Sequence, residues 1–245
     1  MAARLGVAAS LWQTEHPDVA WLSVPAMQPS AVVVGAGPGI GLAVARRFAR
    51  EGFAVALIAR RQEALDGYVL ELLGDHDVVL GVAADAADPV ALEGAWATVV
   101  AALGDPEVLV YNAMGARPLG SPTTLDLDDL SATLDVNVGG ALMAAKLAAP
   151  AMRAAGRGTM VLTGGGLAHE PMAGASALSI GKAGMRSLTF CLAEELAPDG
   201  IHVATVTVSG RVEPGTHFDP DRIADEYWKL HTEPSTAWTT EVTYR

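Results

Sequence analysis

Strand-length apolar runs alternate with helix-length ones along the 245 residues. The strand-length runs are apolar at nearly every position, and a glycine-rich turn follows the first of them directly. These three observations predict a single α/β domain, doubly wound around a parallel sheet of about seven strands. A strand with one solvated face alternates apolar with polar residues. A strand covered on both faces need not, and parallel sheets are covered on both.

In chain order the strand-length runs are "AVVVG" (31–35), "FAVALIA" (53–59), "DVVLGVAA" (77–84), "EVLVY" (107–111), "GTMVLT" (158–163), "IHVATVTVS" (201–209) and "AWTTEVTY" (237–244). Helical patterns fill the gaps: "GLAVARRFAREG", a charged helix from Gln62, "ALEGAWATVVAAL", long helices over about 127–154 and 173–197, and a short one near 220–230. The domain pattern begins just after Met27. Residues 1–27 read as a loosely ordered arm, with Met27 an alternative start, and 28–245 as the dinucleotide-binding domain. Glu15, His16, Pro17 and Asp18 interrupt the arm's short apolar run, a poor fit to a secretory signal.

Composition narrows the partners. Sixteen basic residues against 28 acidic ones give a formal charge of −12, which repels nucleic acid and anionic lipid. No apolar stretch is long and charge-free enough to span a membrane. The single cysteine, Cys191, excludes an internal disulfide, suits a reducing cytoplasm, and reads as a small core residue. No metal-ligand cluster is expected.

The turn "VVVGAGPGIGLAVARRF" places Gly35, Gly37, Gly39, Ile40 and Gly41 between a buried strand and a helix. Glycines there permit a tight turn and let backbone N–H groups approach a pyrophosphate at the positive end of the helix. This is the Rossmann-type nucleotide cradle. The second strand ends in Ala59, Arg60 and Arg61, with no carboxylate for ribose hydroxyls and two guanidiniums for a 2′-phosphate. NADP(H) is therefore the expected cofactor.

Across residues 28–245 the chain resembles a short-chain dehydrogenase/reductase. The resemblance rests on Gly35, Gly39 and Gly41, on Asp85 in "AADAAD", on Asn112 and Ala113 in "YNAMG", on Asn137 in "LDVNVGG", on Lys182 in "GASALSIGKAG" and on Val212 in "VSGRV". It implies that Asp85 holds the adenine amino group, Asn112 and Ala113 line the cofactor site, and Val212 meets the carboxamide. It also implies Lys182 at the nicotinamide ribose and Asn137 as the asparagine of the catalytic tetrad. The departures cluster at the chemistry. The family's tyrosine, four residues before the lysine, falls on Leu178, and its serine, about thirteen residues earlier, falls on Gly165 in "LTGGGLAH". A threonine expected shortly after Val212 also falls on Pro214, in a segment shorter than the family's lid.

A positioned acid contributes roughly 10²–10⁴-fold to carbonyl reduction, and leucine can supply no proton. His169, Ser176, Ser179 and Thr163 are the candidate substitutes, although each has an ordinary structural reading. The expected function is thus an NADP(H)-dependent oxidoreductase with an atypical active site, acting on a small-molecule substrate. The alternative is a catalytically inactive NADP-binding sensor or partner subunit. Reuse for isomerisation has no positive support. Small residues at Gly139, Gly140, Ala141, Ala144, Ala145, Ala148 and Ala149, with Ala183 and Gly184, predict close helix packing. In members of the resembled family the equivalent helices pair between subunits, which implies a homodimer or homotetramer.

Overall fold

The computed structural model describes residues 28–245 apart from 75, 77 and 117; the expected N-terminal arm lies outside them. Seven strands form one sheet in the order β3-β2-β1-β4-β5-β6-β7. They are β1 (Ser30–Val34), β2 (Ala54–Ala59), β3 (Val79–Ala83), β4 (Val108–Tyr111), β5 (Gly158–Gly165), β6 (Ile201–Val208) and β7 (Glu241–Tyr244). All six strand pairings are parallel.

The apolar strands have the expected cause. Val32 and Val34 of β1 point into one core with Trp96, Met152 and Leu192. Ala31 and Val33 point into a second core with Phe48, Leu65 and Tyr227. The first core is closed by α3 (Pro89–Leu103), α5 (Ala141–Ala155) and α6 (Ser176–Leu196), the second by α1 (Ile40–Arg50), α2 (Gln62–Leu73) and α7 (Pro220–Thr232). Successive side chains of a strand face opposite ways, so every position of β1, β4 and β6 meets a helix layer, while the edge strands β3 and β7 are only partly buried.

Some helix starts carry an ordinary side-chain cap and others, including the one at the site, do not. Asp88 caps α3 by accepting from Val90 N and Ala91 N, and Asp219 caps α7 by accepting from Asp221 N. No side chain caps α1, whose N-terminus opens at Gly39.

Three sequence expectations need correction. The long helix over 127–154 is α4 (Leu127–Leu134), a π-helical turn (Asp135–Gly140) and α5. The hydroxyl of Tyr111 donates to the Val136 carbonyl within that turn. A Cβ on Gly140 would collide with this hydroxyl and with the Ala86 carbonyl. The last strand begins at Glu241, not near Ala237. The residues before it turn away because Trp238 stacks on the His202 ring at 5.0 Å. Cys191 is exposed on α6, not buried. The alanines of α5 pack inward: Ala141, Ala144, Ala145, Ala148 and Ala149 all lie in the first core.

Candidate active site

The sheet order reverses direction between β1 and β4, and parallel sheets of this kind bind ligands in the crevice outside the strand ends at that point. A cleft of about 1160 Å³ lies there. One end is walled by Gly37, Pro38, Gly39, Ile40, Gly41 and Asn112, the other by Gly165, His169, Met172 and Leu178. Lys182 and Val212 also face it.

The glycine turn contains two kinds of glycine. Gly35 has φ +90, and a Cβ there would fall on the backbone of Ala113. Gly41 lies so close to the turn that its Cβ would come within 2.6 Å of the Gly35 carbonyl. That carbonyl accepts from Asn112 Nδ2 at 2.9 Å. These positions are glycine because the protein's own backbone fills the space. A Cβ on Gly37 or Gly39 would meet nothing within 4 Å. The turn therefore leaves open space at the uncapped start of α1, where an anionic group is favoured. This shape fits a dinucleotide pyrophosphate.

The remaining predicted cofactor residues are distributed around this centre. Arg60 and Arg61 are exposed at the end of β2, outside the cleft lining, and neither pairs with a carboxylate among the described residues. Asp85 is exposed just beyond β3 and accepts from Ala87 N at 3.0 Å. Its charge lies near enough to Tyr111 to add to burial in raising that phenol's pKa. Ala113 is half-buried against Gly35.

Lys182 sits on α6 one turn after Leu178, on the same face. It is only 7% exposed, and its Nζ donates to the Thr163 carbonyl at 2.7 Å. The Thr163 hydroxyl shares a 2.6 Å hydrogen bond with Tyr227, which rises from α7 on the opposite side of the sheet. Burial holds the Tyr227 phenol well above its ordinary pKa. Asn137 lies behind the cleft, wholly buried in the π turn and absent from the lining. Its Oδ1 accepts from Gly115 N at 3.2 Å, and its Nδ2 has no hydrogen-bond partner among the described residues.

Of the four candidate substitutes for the missing acid, three are engaged in structural bonds. Ser176 Oγ donates to the Gly120 carbonyl at 2.8 Å. Ser179 Oγ donates to the Ala175 carbonyl and accepts from Met172 N. Thr163 is committed to Tyr227. His169 lines the cleft, as Thr163 does, but its one side-chain bond, Nε2 at 2.8 Å from Glu241 Oε1, leaves its second ring nitrogen uncommitted among the described residues.

Sequence reasoning missed Glu241. The carboxylate, 12% exposed, also receives two nitrogens of Arg186 at 2.7–3.1 Å and the Thr207 hydroxyl at 2.7 Å. Burial alone would raise its pKa; the hydrogen bonds from Arg186, Thr207 and His169 overcome that and hold it at about 2. Nothing local to β7 signals this cluster.

The fold and cleft define a nucleotide-binding protein of the doubly wound α/β class. Residues 29–217 match the short chain dehydrogenase family, and the chain belongs to it. Dehydrogenase/reductase SDR family member 4 of Homo sapiens is 31% identical over 204 residues, covering 82% of this chain and 73% of that protein. A metagenomic short-chain oxidoreductase solved in complex with NADP is 30% identical with a TM-score of 0.80, covering 88% of this chain and 96% of that one. A short-chain dehydrogenase from Rhodopseudomonas palustris is 27% identical with a TM-score of 0.81, covering 90% and 99%.

Proposed function

We propose that the chain is an NADP(H)-dependent oxidoreductase whose cofactor half is complete and whose proton-donating half is atypical. The observation that carries this reading is the single cleft joining the open glycine turn to Lys182. A main-chain carbonyl seats the lysine, so its position does not depend on a tyrosine. Gly37, Gly39, Ile40 and the start of α1 would hold the pyrophosphate, framed by Gly35 and Gly41. Arg60 and Arg61 would hold the 2′-phosphate and Asp85 the adenine. Asn112, Ala113 and Val212 would border the nicotinamide end, with Lys182 at its ribose. The NADP complex of a 30%-identical relative supports the choice of nucleotide.

A bound reduced nicotinamide supplies hydride to a polarised double bond. This chain contributes orientation and charge: Lys182 presents a cation at the middle of the cleft, and Asn137 braces the π turn behind it. Leu178 can neither give nor take a proton, and Gly165 has no hydroxyl to orient a carbonyl. Both line the cleft at the positions where the family resemblance places the tyrosine and serine. That pair of residues favours the second reading, an NADP-binding sensor or partner subunit without turnover.

Calorimetric titration with NADPH and NADH tests the first half. Micromolar NADPH binding, weaker NADH binding, and loss of the preference in Arg60→Ala/Arg61→Ala support it. A guanidinium–phosphate contact is worth about 1.5–3 kcal/mol, or roughly 10- to 100-fold. Equal affinity for both nucleotides would remove the NADP assignment, and no binding would remove the oxidoreductase reading. Binding without oxidation of NADPH by ketones, imines or enones would favour the sensor.

The same proposal includes a cytoplasmic homodimer or homotetramer. Its interface would use the outward side of α5 and α6, where Leu142, Ile180 and Phe190 are exposed. Light scattering at the mass of one chain would exclude it.

A further inference from the structure

We propose that His169 is the proton donor of this cleft, held in place for that task by Glu241 and Arg186 as positioning residues. The assignment rests on the redox reading above and deepens it.

The tautomer follows from the network. Glu241 is ionised, so it can only accept, and Nε2 of His169 must carry the proton that bridges them. In the neutral ring this leaves the lone pair on Nδ1, which has no hydrogen-bond partner among the described residues. Nδ1 is therefore the ring position open to a second proton. The arrangement is that of a histidine oriented through one nitrogen so that the other does the chemistry.

The supports are rigid. Glu241 is pinned by Nε and Nη2 of Arg186 and by Thr207 of β6. Arg186 lies one helical turn after Lys182, so a single face of α6 carries Leu178, Lys182 and Arg186. His169 follows the 3-10 turn Gly166–Ala168, and its N–H donates to the Gly166 carbonyl at 3.0 Å. The charged groups facing the ring or sharing its cleft are Glu241 from β7, Arg186 and Lys182 from α6, Glu170 beside it in the chain, and Arg245 after β7.

The step moves one proton and no electrons. The Nδ1–H bond breaks as an O–H bond forms on the substrate oxygen. The ring returns to its Nε2–H form and regains a proton from water admitted through the open cleft. The substrate class is a compound whose reduction leaves negative charge on oxygen, that is, a ketone or aldehyde.

Imidazole NMR of the nucleotide-free full chain, with His169→Gln to assign the signal, is the first test. The expected neutral form carries its proton on Nε2. In Glu241→Gln, whose amide can donate as well as accept, the ring is no longer fixed as the Nε2–H tautomer and both tautomers are populated. In Arg186→Gln, which keeps the carboxylate, the Nε2–H form is retained. A neutral ring protonated on Nδ1, or a tautomer ratio unmoved in Glu241→Gln, overturns the assignment.

The second test follows NADPH oxidation over a ketone and aldehyde panel. His169→Gln should lose about 10²-fold or more in turnover while binding NADPH as the wild type does. Turnover unchanged in His169→Gln overturns this assignment alone. A wild type that binds no NADPH overturns the redox reading, and this assignment with it.

Discussion

Gly35 and Gly37 are two residues apart, yet alanine should affect them in opposite ways. At Gly35 the side chain meets two obstacles. With φ at +90, an L-residue is strained by about 1–2 kcal/mol. Its Cβ also falls on the Ala113 backbone, and overpacking of this kind costs about 1–3 kcal/mol. The sum, about 2–5 kcal/mol, is a large share of the stability of an ordinary domain, about 5–15 kcal/mol. Gly37 has no positive φ and nothing within 4 Å of its Cβ. Gly37→Ala should leave the unfolding free energy within about 0.5 kcal/mol of wild type. Its methyl instead occupies the space left for the pyrophosphate and should weaken NADPH binding by tenfold or more, about 1.4 kcal/mol. Urea denaturation reads the first quantity and calorimetry the second. A Gly37→Ala protein that binds NADPH as tightly as wild type would show that the open turn is not the pyrophosphate site. A Gly35→Ala protein of unchanged stability would refute the packing argument.

Three further outcomes are expected. A Cβ on Gly165 would sit 3.4–3.5 Å from the Lys182 methylenes, and the backbone there is extended. Gly165→Ser/Leu178→Tyr should therefore fold normally and, in the His169→Gln background, restore about 10²-fold in ketone reduction; NADPH binding without such a gain would locate the loss elsewhere. Glu241 has a folded-state pKa of about 2 against an ordinary 4.5. Its stabilisation is complete above about pH 4.5, fades as pH falls toward 2, and amounts to at most about 3 kcal/mol. Acid denaturation should steepen in that window and flatten in Glu241→Gln; an identical profile in the variant would contradict the assignment. Finally, because Cys191 is exposed on α6 beside the proposed interface, one equivalent of a maleimide should label it in the dissociated but folded chain, whereas a thiol that titrates only in denaturant would place it inside the fold.

The sheet was legible because its cause is local to each strand. Burial on both faces writes itself into five or six consecutive apolar residues, and the turn after β1 carries its own glycines. The last strand was harder to place. Ala237 and Trp238 read as strand by composition, but the His202 ring takes Trp238 out of line. Cys191 sits in an apolar run on a helix whose outward face also exposes Phe190 and Ile180, so composition did not reveal its side. The alanines of α5 were legible as close packing, but not as packing against the sheet. In the cleft, Lys182 and the glycines could be found by spacing. Glu241 could not: its partners His169, Arg186 and Thr207 lie 72, 55 and 34 residues away. A carboxylate between two threonine-rich stretches looks like any solvated edge until the fold brings those three together.

Thr163 has a consequence for where useful variation will be found. Its carbonyl seats Lys182 on one side of the sheet, while its hydroxyl is gripped by Tyr227 on the other. The lysine is thus linked through one residue of the sheet to a helix that contributes nothing to the cleft wall. Substitutions that reseat α7, at Ile223 or Ala224 in its buried face, should act on nucleotide affinity through that strand. A library confined to cleft-lining positions would pass over them. In selections for altered cofactor use, the back of the sheet is part of the territory to sample.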